Sequence, residues 1–171
     1  MNRIRLMLIG DNRKIAVYNA PIVEVGPRDH ILERLKLDLG PDPLSDEWDE
    51  ERAYENIIRF QDEKIGIVLL NQSVVAGIGN ILRNEILFRA GVDPERRVGD
   101  LSREEVRKII HFTRELSRQF LELKIRGRSI KDMLYVYNRF SGFCMICGYP
   151  IKFYRQKPIN RKTFVCENCQ R

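Results

Sequence analysis

The stretch that decides the fold lies near the C-terminal end: Cys144-Met145-Ile146-Cys147 and Cys166-Glu167-Asn168-Cys169, separated by eighteen residues. These two CxxC turns hold all four cysteines of the chain. Each turn can offer two thiolates to one tetrahedral ion, and the segment between them has the length of a short β-hairpin. Two disulfides are the alternative, but they need an oxidising compartment, and the sequence shows no signal peptide. The spacing therefore predicts one structural Zn²⁺ bound by Cys144, Cys147, Cys166 and Cys169.

Positive charge is concentrated in the same part of the chain. The 171 residues include 30 Lys and Arg against 24 Asp and Glu, which gives a net charge of +6. From Lys124 to the end, eleven basic residues face two acidic ones, so this quarter alone carries +9. A polyanion is the natural partner of such a surface, and its concentration on one metal-bound unit favours nucleic acid.

No stretch of the sequence is suited to crossing a membrane. The longest apolar run, residues 65–70, is interrupted by Gly66 and is much shorter than a bilayer-spanning helix. The hydrophobic content of 43% is that of an ordinary globular protein. We therefore expect an intracellular protein, of the cytoplasm or nucleoid, with no membrane partner.

The first part of the chain has the alternating pattern of a β-hairpin. Ile4, Leu6 and Leu8 share one side of a strand, Gly10-Asp11-Asn12 supplies a turn, and residues 14–18 resume the alternation. A two-stranded hairpin is marginal alone, and no later segment supplies several further strands. Residues 1–28 are therefore predicted to be the remnant of a larger N-terminal sheet.

An acidic segment follows, and we interpret it as a connector that leads into a helix. Gly40-Pro41-Asp42-Pro43 is a rigid bend through which no helix can pass. Beyond it, Ser45 or Asp46 is expected to cap a helix over residues 47–60, which has an apolar stripe. Residues 65–72 are predicted to form a second, short helix.

The sequence Gly77-Ile78-Gly79-Asn80 precedes a helix that is predicted to run to Ala90. Its glycines allow the backbone to approach a ligand closely, although glycines before a helix are also common as simple turn residues. Asn80 is expected to cap the helix, whose free amides and positive dipole end make an anion site. Arg83 and Arg89 add positive charge on the same helix, so phosphate is the expected occupant.

The longest predicted helix begins at Ser102 and ends at Gly127. Ser102 and Glu105 have the spacing of a capping box, and the apolar face that follows is interpreted as core. Gly127 is the expected stop signal, because glycine adopts the left-handed conformation that commonly terminates helices. His111 lies on this helix and is expected to be a surface or half-buried residue.

Beyond this helix, residues 128–141 form a predicted hinge in which aromatic and basic residues alternate. Tyr137 and Arg139 are among them, and such a mixture suits contacts with phosphates and bases. Between the two CxxC turns, residues 151–155 and 161–165 alternate like the strands of a hairpin. The metal is expected to fold this ribbon, because its few apolar residues cannot.

Several motifs of the chain occur together and in a characteristic order, and this order resembles the formamidopyrimidine-DNA glycosylase and endonuclease VIII family of base-excision repair enzymes. The similarity covers nearly the whole chain. The motifs that carry it are Tyr18-Asn19-Ala20-Pro21, Leu39-Gly40-Pro41-Asp42-Pro43-Leu44, Asn71-Gln72, Val75-Ala76-Gly77-Ile78-Gly79-Asn80, Glu85-Ile86-Leu87-Phe88-Arg89-Ala90 with Pro94, Val136-Tyr137-Asn138-Arg139, the four cysteines, Arg161-Lys162-Thr163-Phe164, and Cys169-Gln170.

The resemblance implies a mainly α fold with a small β component. Residues 29–127 would form a helix-two-turn-helix DNA-binding domain, and residues 128–171 a C-terminal four-cysteine zinc ribbon built on a hairpin. Residues 1–28 would be the last strands of an N-terminal β-sandwich. In the family, the helical domain and the ribbon together hold the DNA backbone around a flipped damaged base.

The resemblance also implies roles for individual residues. Asn80 matches an asparagine that binds the phosphate next to the lesion, Arg161 a ribbon arginine at the lesion phosphate, and Tyr137 a phosphate-contacting tyrosine. The cysteines match the family's zinc ligands. The complete set of predicted DNA-binding residues is Gly77, Gly79, Asn80, Tyr137, Arg139 and Arg161.

Some features of the chain depart from the family pattern. The family's catalysis resembles imine chemistry by an N-terminal proline amine, assisted by an adjacent glutamate, whereas this chain begins Met1-Asn2-Arg3. The lysine-bearing loop of the catalytic domain is also missing. In addition, Gly66 stands where many relatives have lysine, and Asn138 replaces a usual glycine.

These observations predict the damaged-DNA-binding portion of a DNA glycosylase and AP lyase, without catalytic residues of its own. Its expected partners are double-stranded DNA with a damaged base or abasic site and a missing N-terminal catalytic domain. The alternative is a non-enzymatic, zinc-dependent DNA- or RNA-binding module. A zinc-containing adaptor for protein interactions is weaker, because it leaves the +9 segment unexplained.

Overall fold

The computed structural model describes residues 3–171, and the side chains of residues 35–38 lie outside this description. The described chain is mostly helical with two short hairpins, so the predicted fold class is confirmed. Its elements are β1 (Ile4–Ile9), β2 (Lys14–Tyr18), α1 (Arg28–Asp38), α2 (Glu50–Ile58), α3 (Ile65–Val68), α4 (Asn80–Ala90), α5 (Arg103–Ile125), β3 (Lys152–Gln156) and β4 (Arg161–Val165). No helix among the described residues is long and apolar enough to span a membrane.

The chain divides into two compact units, Met1–Lys36 and Leu37–Arg171. In the first unit, β1 and β2 pair antiparallel with Leu8 opposite Ile15, which confirms the predicted hairpin. The turn is closed by a hydrogen bond from the Gly10 amide to the Arg13 carbonyl, 2.9 Å. Apolar side chains remain exposed on this hairpin, as expected for two strands that cannot enclose a core.

The interpretation of the acidic segment that begins at Asp29 as a plain connector is wrong, because α1 occupies its first part. No glycine or proline interrupts residues 28–39, and Asp29 in the first turn complements the helix dipole. An ion pair of 2.7 Å joins Arg34 of this helix to Glu24. The bend at Gly40-Pro41 comes directly after the helix, as the restriction imposed by proline on the residues before it requires.

The predicted caps of the next helix are also wrong. The side chain of Asp49, which directly precedes α2, accepts a hydrogen bond of 2.9 Å from the Arg52 amide and is the N-cap. Ser45 instead accepts from the Glu47 amide within the preceding turn. Ser45 and Asp49 both suit this local hydrogen bond, so the side-chain type alone does not fix the first turn of the helix. Helix α2 begins at Glu50 and buries Ala53, Asn56 and Ile57.

The core of the second unit lies between α2, α4 and α5. The capping box of Ser102 and Glu105 is present at the start of α5, and Gly127 follows its end with φ +62°, so both predicted boundaries are confirmed. The predicted short helix at residues 65–72 is regular only over α3. The fully buried core side chains include Ile57, Ile65, Leu69, Ile86, Leu87, Ile109, Ile110 and Leu116.

The C-terminal ribbon belongs to this same unit. Strands β3 and β4 pair antiparallel, with Phe153 opposite Phe164 and Gln156 opposite Arg161, which confirms the predicted hairpin. Phe164 is the buried centre of a small second core that also contains Ile151 and Val136. The ribbon therefore has few apolar residues of its own and depends on its contacts with α4 and on its cysteines.

Candidate zinc centre and nucleic-acid interface

The four cysteines converge at the end of the ribbon. Their sulfur atoms all lie within 4.8 Å of one another, with 3.9 Å between Cys144 and Cys169 and 3.4 Å between Cys147 and Cys166. Four thiolates around a tetrahedral Zn²⁺ at 2.3 Å would lie roughly 3.8 Å apart. The donor set and its dimensions therefore fit zinc, as the CxxC spacing predicts.

The protein shifts the pKa values of three of these thiols, and not all in the same direction. A hydrogen bond from the Tyr149 amide is the main reason that the pKa of Cys147 is lowered to about 6. Burial raises the pKa of Cys166 and that of Cys169 above the ordinary value for a thiol. Because zinc binds thiolates, metal binding at neutral pH must release protons from Cys166 and Cys169.

A glycine-rich turn forms an open cradle at the start of α4. Gly77 has φ +78°, and a side chain at either Gly77 or Gly79 would meet no atom within 4 Å. The side chain of Gln72 supports the turn, since it accepts from the Gly77 amide at 2.8 Å and donates to the Ile78 carbonyl at 3.1 Å. Sequence reasoning assigned no role to Gln72.

Asn80 is the first residue of α4, and the N-cap is Gly79, so the predicted capping role of Asn80 is wrong. Its side-chain amide instead donates to the main-chain carbonyl of Lys162 at 2.9 Å. This contact brings the cradle beside β4 and next to Arg161, whose side chain is exposed. Asn80 and Arg161, 81 positions apart in the sequence, therefore lie on neighbouring parts of one surface.

Arg83 lies inside the protein rather than at the surface anion site, so the role expected for it is wrong. It is fully buried. Its Nη1 donates to the Gly66 carbonyl at 3.1 Å and to Gln156 Oε1 at 2.5 Å, and its Nη2 to the Lys162 carbonyl at 3.1 Å and Thr163 Oγ1 at 2.7 Å. Burial lowers its pKa to about 10, so it remains a cation at neutral pH. Arg83 thus joins α4 to both strands of the ribbon.

Glu85 fixes the segment that leads into the ribbon. Its buried carboxylate accepts hydrogen bonds from the main-chain amides of Tyr135, Val136 and Tyr137, at 2.8, 3.0 and 2.8 Å. Burial raises the pKa of Glu85, while these three hydrogen bonds oppose the rise. The only sign of this role in the sequence is an acidic residue directly before the apolar run Ile86-Leu87-Phe88.

The aromatic and basic residues of the predicted hinge are largely engaged within the protein. The ring of Tyr137 packs edge-on against Phe164, with 5.4 Å between ring centroids. Tyr135 lies under the guanidinium of Arg89, 3.9 Å from its carbon. Arg139 donates to the Leu134 carbonyl at 3.2 Å and to Met145 Sδ at 2.6 Å. The roles of Tyr137 and Arg139 in DNA binding stay predictions.

The hairpin carries cations without acidic neighbours. Among the described residues, no carboxylate lies within ion-pairing distance of four of its five cations, Arg155, Lys157, Arg161 and Lys162. Lys152, by contrast, is paired with Glu167 at 2.5 Å. His111 stands apart from this surface, exposed on α5 and 3.3 Å from Glu115, as expected for a residue without a ligand role.

Known proteins are similar to this chain in sequence. Residues 39–132 match the model of the formamidopyrimidine-DNA glycosylase H2TH domain, which is more than half of the chain. A formamidopyrimidine-DNA glycosylase of Oceanobacillus iheyensis is 38% identical over 145 residues, which are 77% of this chain and 50% of that protein. A probable endonuclease 8 of Streptomyces coelicolor is 30% identical over 174 residues, which cover 99% of this chain and 62% of that protein.

Solved structures agree with the sequence comparison. The crystal structure of MutM (Fpg) from Thermus thermophilus superposes with a TM-score of 0.80 at 27% identity and covers 98% of this chain and 68% of that one. A Lactococcus lactis Fpg in complex with DNA that contains FAPY-dG gives a TM-score of 0.74 at 27% identity, over 84% of this chain and 55% of that one. The chain thus spans about half the length of the curated relatives it matches. It belongs to the formamidopyrimidine-DNA glycosylase family.

Proposed function

We propose that this chain is the DNA-holding part of a base-excision-repair DNA glycosylase and AP lyase. It would bind duplex DNA at a damaged base or an abasic site and hold the phosphates around a flipped nucleotide. The hydrogen bond from the Asn80 amide to the Lys162 carbonyl, 2.9 Å, carries the proposal, because it joins the start of α4 to the strand that includes Arg161. With duplex DNA as its partner, the protein would act at the nucleoid.

Each part of this surface suits a phosphate. The first amides of α4 have no partner within the helix and lie at its positive end, above two glycines that leave the approach open. Asn80 uses one N–H for Lys162 and keeps a second for a phosphate oxygen. Arg161 offers a planar fork of donors that matches phosphate geometry.

Zinc would serve this function as one structural ion. Four thiolates leave no open position for a substrate or water, which is the arrangement of structural rather than catalytic zinc. Bound by Cys144, Cys147, Cys166 and Cys169, it would stiffen the hairpin that carries Arg161.

The bond-breaking chemistry is assigned to a catalytic domain outside this chain. In the family that the chain resembles, an amine attacks C1′ of the flipped nucleotide and forms a Schiff base, and neither Asn80 nor Arg161, the residues assigned to the lesion phosphate here, carries such an amine. We therefore expect the zinc-loaded chain to bind an abasic-site duplex without cleaving it. A covalent adduct trapped by borohydride between the chain and that duplex would overturn this part of the proposal.

Substitution of Arg161 is expected to weaken binding to lesion DNA selectively. A charge-assisted hydrogen bond contributes about 1.5–3 kcal/mol, so Arg161→Ala should reduce affinity for an abasic-site duplex by about tenfold or more. Affinity for the undamaged duplex should fall much less. The measurement is a fluorescence-anisotropy titration of both duplexes at one salt concentration.

The matched control is Lys157→Ala, because Lys157 is an exposed cation in the turn of the same hairpin. It should weaken binding to both duplexes alike and reduce the dependence of log affinity on log salt by about 0.9. Equal losses on the two duplexes for Arg161→Ala would make it a general phosphate contact. If the wild-type chain binds single-stranded RNA better than either duplex, the repair function fails as a whole.

A further inference from the structure

We infer that the outer face of the ribbon hairpin carries a stacking site for an unpaired nucleobase, formed by Phe140 and Phe153. The inference rests on the proposed function for its DNA partner and adds a base contact to a surface that otherwise binds phosphates. Aromatic rings accept any base by stacking, and they are the usual partners of bases that have left the helix.

The strand pairing gives the hairpin two faces, one toward Arg83 and one that carries Phe153 and Phe164. Side chains alternate across an antiparallel pair, and directly opposed residues share a face. Gln156 and Thr163 both bond to the buried Arg83. Phe153 lies opposite Phe164, and its ring packs on that of Phe164 away from this contact.

The outer face is aromatic and accessible. Phe164 is buried, with 1% of its surface exposed, and Phe140 and Phe153 pack on it with ring centroids 5.0 Å away in each case. These two covering rings meet at 4.7 Å and 67°, yet they keep 46% and 40% of their surfaces exposed. Large aromatic surface thus remains free on a rigid support.

Cations flank these rings. The ammonium of Lys162 lies 5.4 Å from the centre of the Phe140 ring. The side chain of Arg155 is exposed and bonds to the main-chain carbonyl of Asn160, 3.1 Å away. Among the described residues, neither cation has a carboxylate partner, so the charge beside the rings is available to a nucleic-acid backbone.

Lys162 connects this face with the phosphate surface. Its main-chain carbonyl accepts from Asn80, while its side chain lies over Phe140. A DNA strand with a phosphate in the cradle would thus lie close to the rings of Phe140 and Phe153, because Lys162 contacts both sites. Tyr135 and Tyr137 are less suited to this role, because they are half-buried, with their rings packed on Phe88 and Phe164, whereas Phe140 and Phe153 are exposed.

The first CxxC turn carries a different exposed apolar patch, and it provides the control. Phe143 has 65% of its surface exposed, more than either platform ring. None of the aromatic or cation contacts that the described residues make involves Phe143. Phe143→Leu therefore tests exposed aromatic surface without the neighbouring cations.

The experiment uses the zinc-loaded full chain and leucine variants, which keep apolar cover over Phe164 but remove the aromatic ring. The probe is a duplex with an abasic site opposite 2-aminopurine, compared with the fully paired duplex of the same sequence. Binding of the wild-type chain should change the 2-aminopurine fluorescence of the probe, because the base leaves the duplex stack for the rings. Phe140→Leu combined with Phe153→Leu should lower affinity for the probe about tenfold and abolish this fluorescence change. Affinity for the paired duplex should stay within about twofold, and Phe143→Leu should change neither.

Three results separate the outcomes. If the double variant binds the probe with unchanged affinity and causes the same fluorescence change, the stacking site is overturned, while the proposed function stands if Arg161→Ala still loses lesion preference. Equal losses on both duplexes overturn the stacking site as well, because they indicate a general packing defect. If the double variant loses zinc or melts early, the single Phe140→Leu variant decides by its fluorescence change, since Phe140 lies outside both strands.

Discussion

Removal of zinc is expected to unfold the ribbon and to leave a less stable helical core. A structural zinc contributes about 10–16 kcal/mol in small zinc-finger peptides, which is comparable to the whole stability of a typical domain. The ribbon's own core is confined to a few residues around Phe164, whereas α2, α4 and α5 have a separate buried cluster. The helical circular-dichroism signal should therefore survive chelation, while hydrogen-exchange protection in β3 and β4 is lost.

The contacts between the ribbon and α4 determine what happens to that core. Unfolding of the hairpin would leave the Arg83 guanidinium without three of its four acceptors and would expose Asn84, which holds the Phe164 amide at 2.8 Å. The helical part should thus melt at a lower temperature without zinc than with it. Cys166→Ser should reproduce the effect of chelation.

Ile146→Ser is the control for this prediction, because Ile146 lies in the same zinc centre, is 66% exposed and is not a zinc ligand. It should retain one equivalent of zinc and a normal melting temperature. If β3 and β4 remain protected after complete zinc removal, the ribbon folds by its contacts with α4 alone, and the metal is not its main source of stability.

Replacement of Arg83 by methionine is expected to destabilise the zinc-loaded chain by about 3 kcal/mol. Buried acceptors that lose their donor cost about 1–3 kcal/mol each, and the gain from no longer burying a charge offsets part of this cost. Arg83→Lys should recover only part of the loss, because one ammonium cannot reach four acceptors in the way a planar fork does. Urea denaturation of each variant gives the free energy of unfolding.

Arg118→Met is the matched control, since Arg118 is an exposed arginine in the middle of a helix. Its stability should lie within about 0.5 kcal/mol of the wild type. A loss below about 1 kcal/mol for Arg83→Met would show that water or neighbouring side chains replace the guanidinium, and that the joint between α4 and the ribbon does not depend on it.

Arg83 should also affect DNA binding, through the position of Arg161. Arg83 Nη2 and the Asn80 amide lie 3.1 and 2.9 Å from the same Lys162 oxygen, so they are at most 6.0 Å apart. A double-mutant cycle tests the connection: in an Arg161→Ala background, Arg83→Met should cause little further loss of affinity for the abasic-site duplex. Additive losses would assign Arg83 a purely structural role.

The features that the sequence predicts well are those whose partners are close in the chain. The CxxC turns, the capping box at Ser102 and the hairpin of the ribbon depend on residues three to thirteen positions apart. Arg83 is different, because its acceptors on Gln156 and Thr163 lie 73 and 80 positions away. Its neighbours Asn80 and Asn84 lie on the same face of the helix. A polar helix face in a sequence is compatible both with exposure to solvent and with burial against a polar partner, so the pattern does not reveal the contact.

Two departures from the family pattern also receive a physical explanation. A Cβ atom at Gly66 would lie 2.7 Å from Gln156 Oε1 and 2.9 Å from the Pro94 carbonyl, so only glycine fits beneath the Arg83 network in this chain. Asn138 has φ +63°, the left-handed conformation that glycine adopts freely and asparagine tolerates. Neither constraint can be read from the sequence, because one depends on the atoms around Gly66 and the other on the backbone conformation of Asn138.

The joint between α4 and the ribbon has a further consequence for mutational robustness. The Lys162 oxygen that accepts from Asn80, Arg83 and Asn84, at 2.9, 3.1 and 3.3 Å, is part of the peptide backbone. A codon change at position 162 alters the side chain but keeps this acceptor. For folding, the mutational sensitivity therefore lies on the three donors of α4, and saturation mutagenesis scored by the amount of folded protein should show tolerance at 162 beside intolerance at 80, 83 and 84.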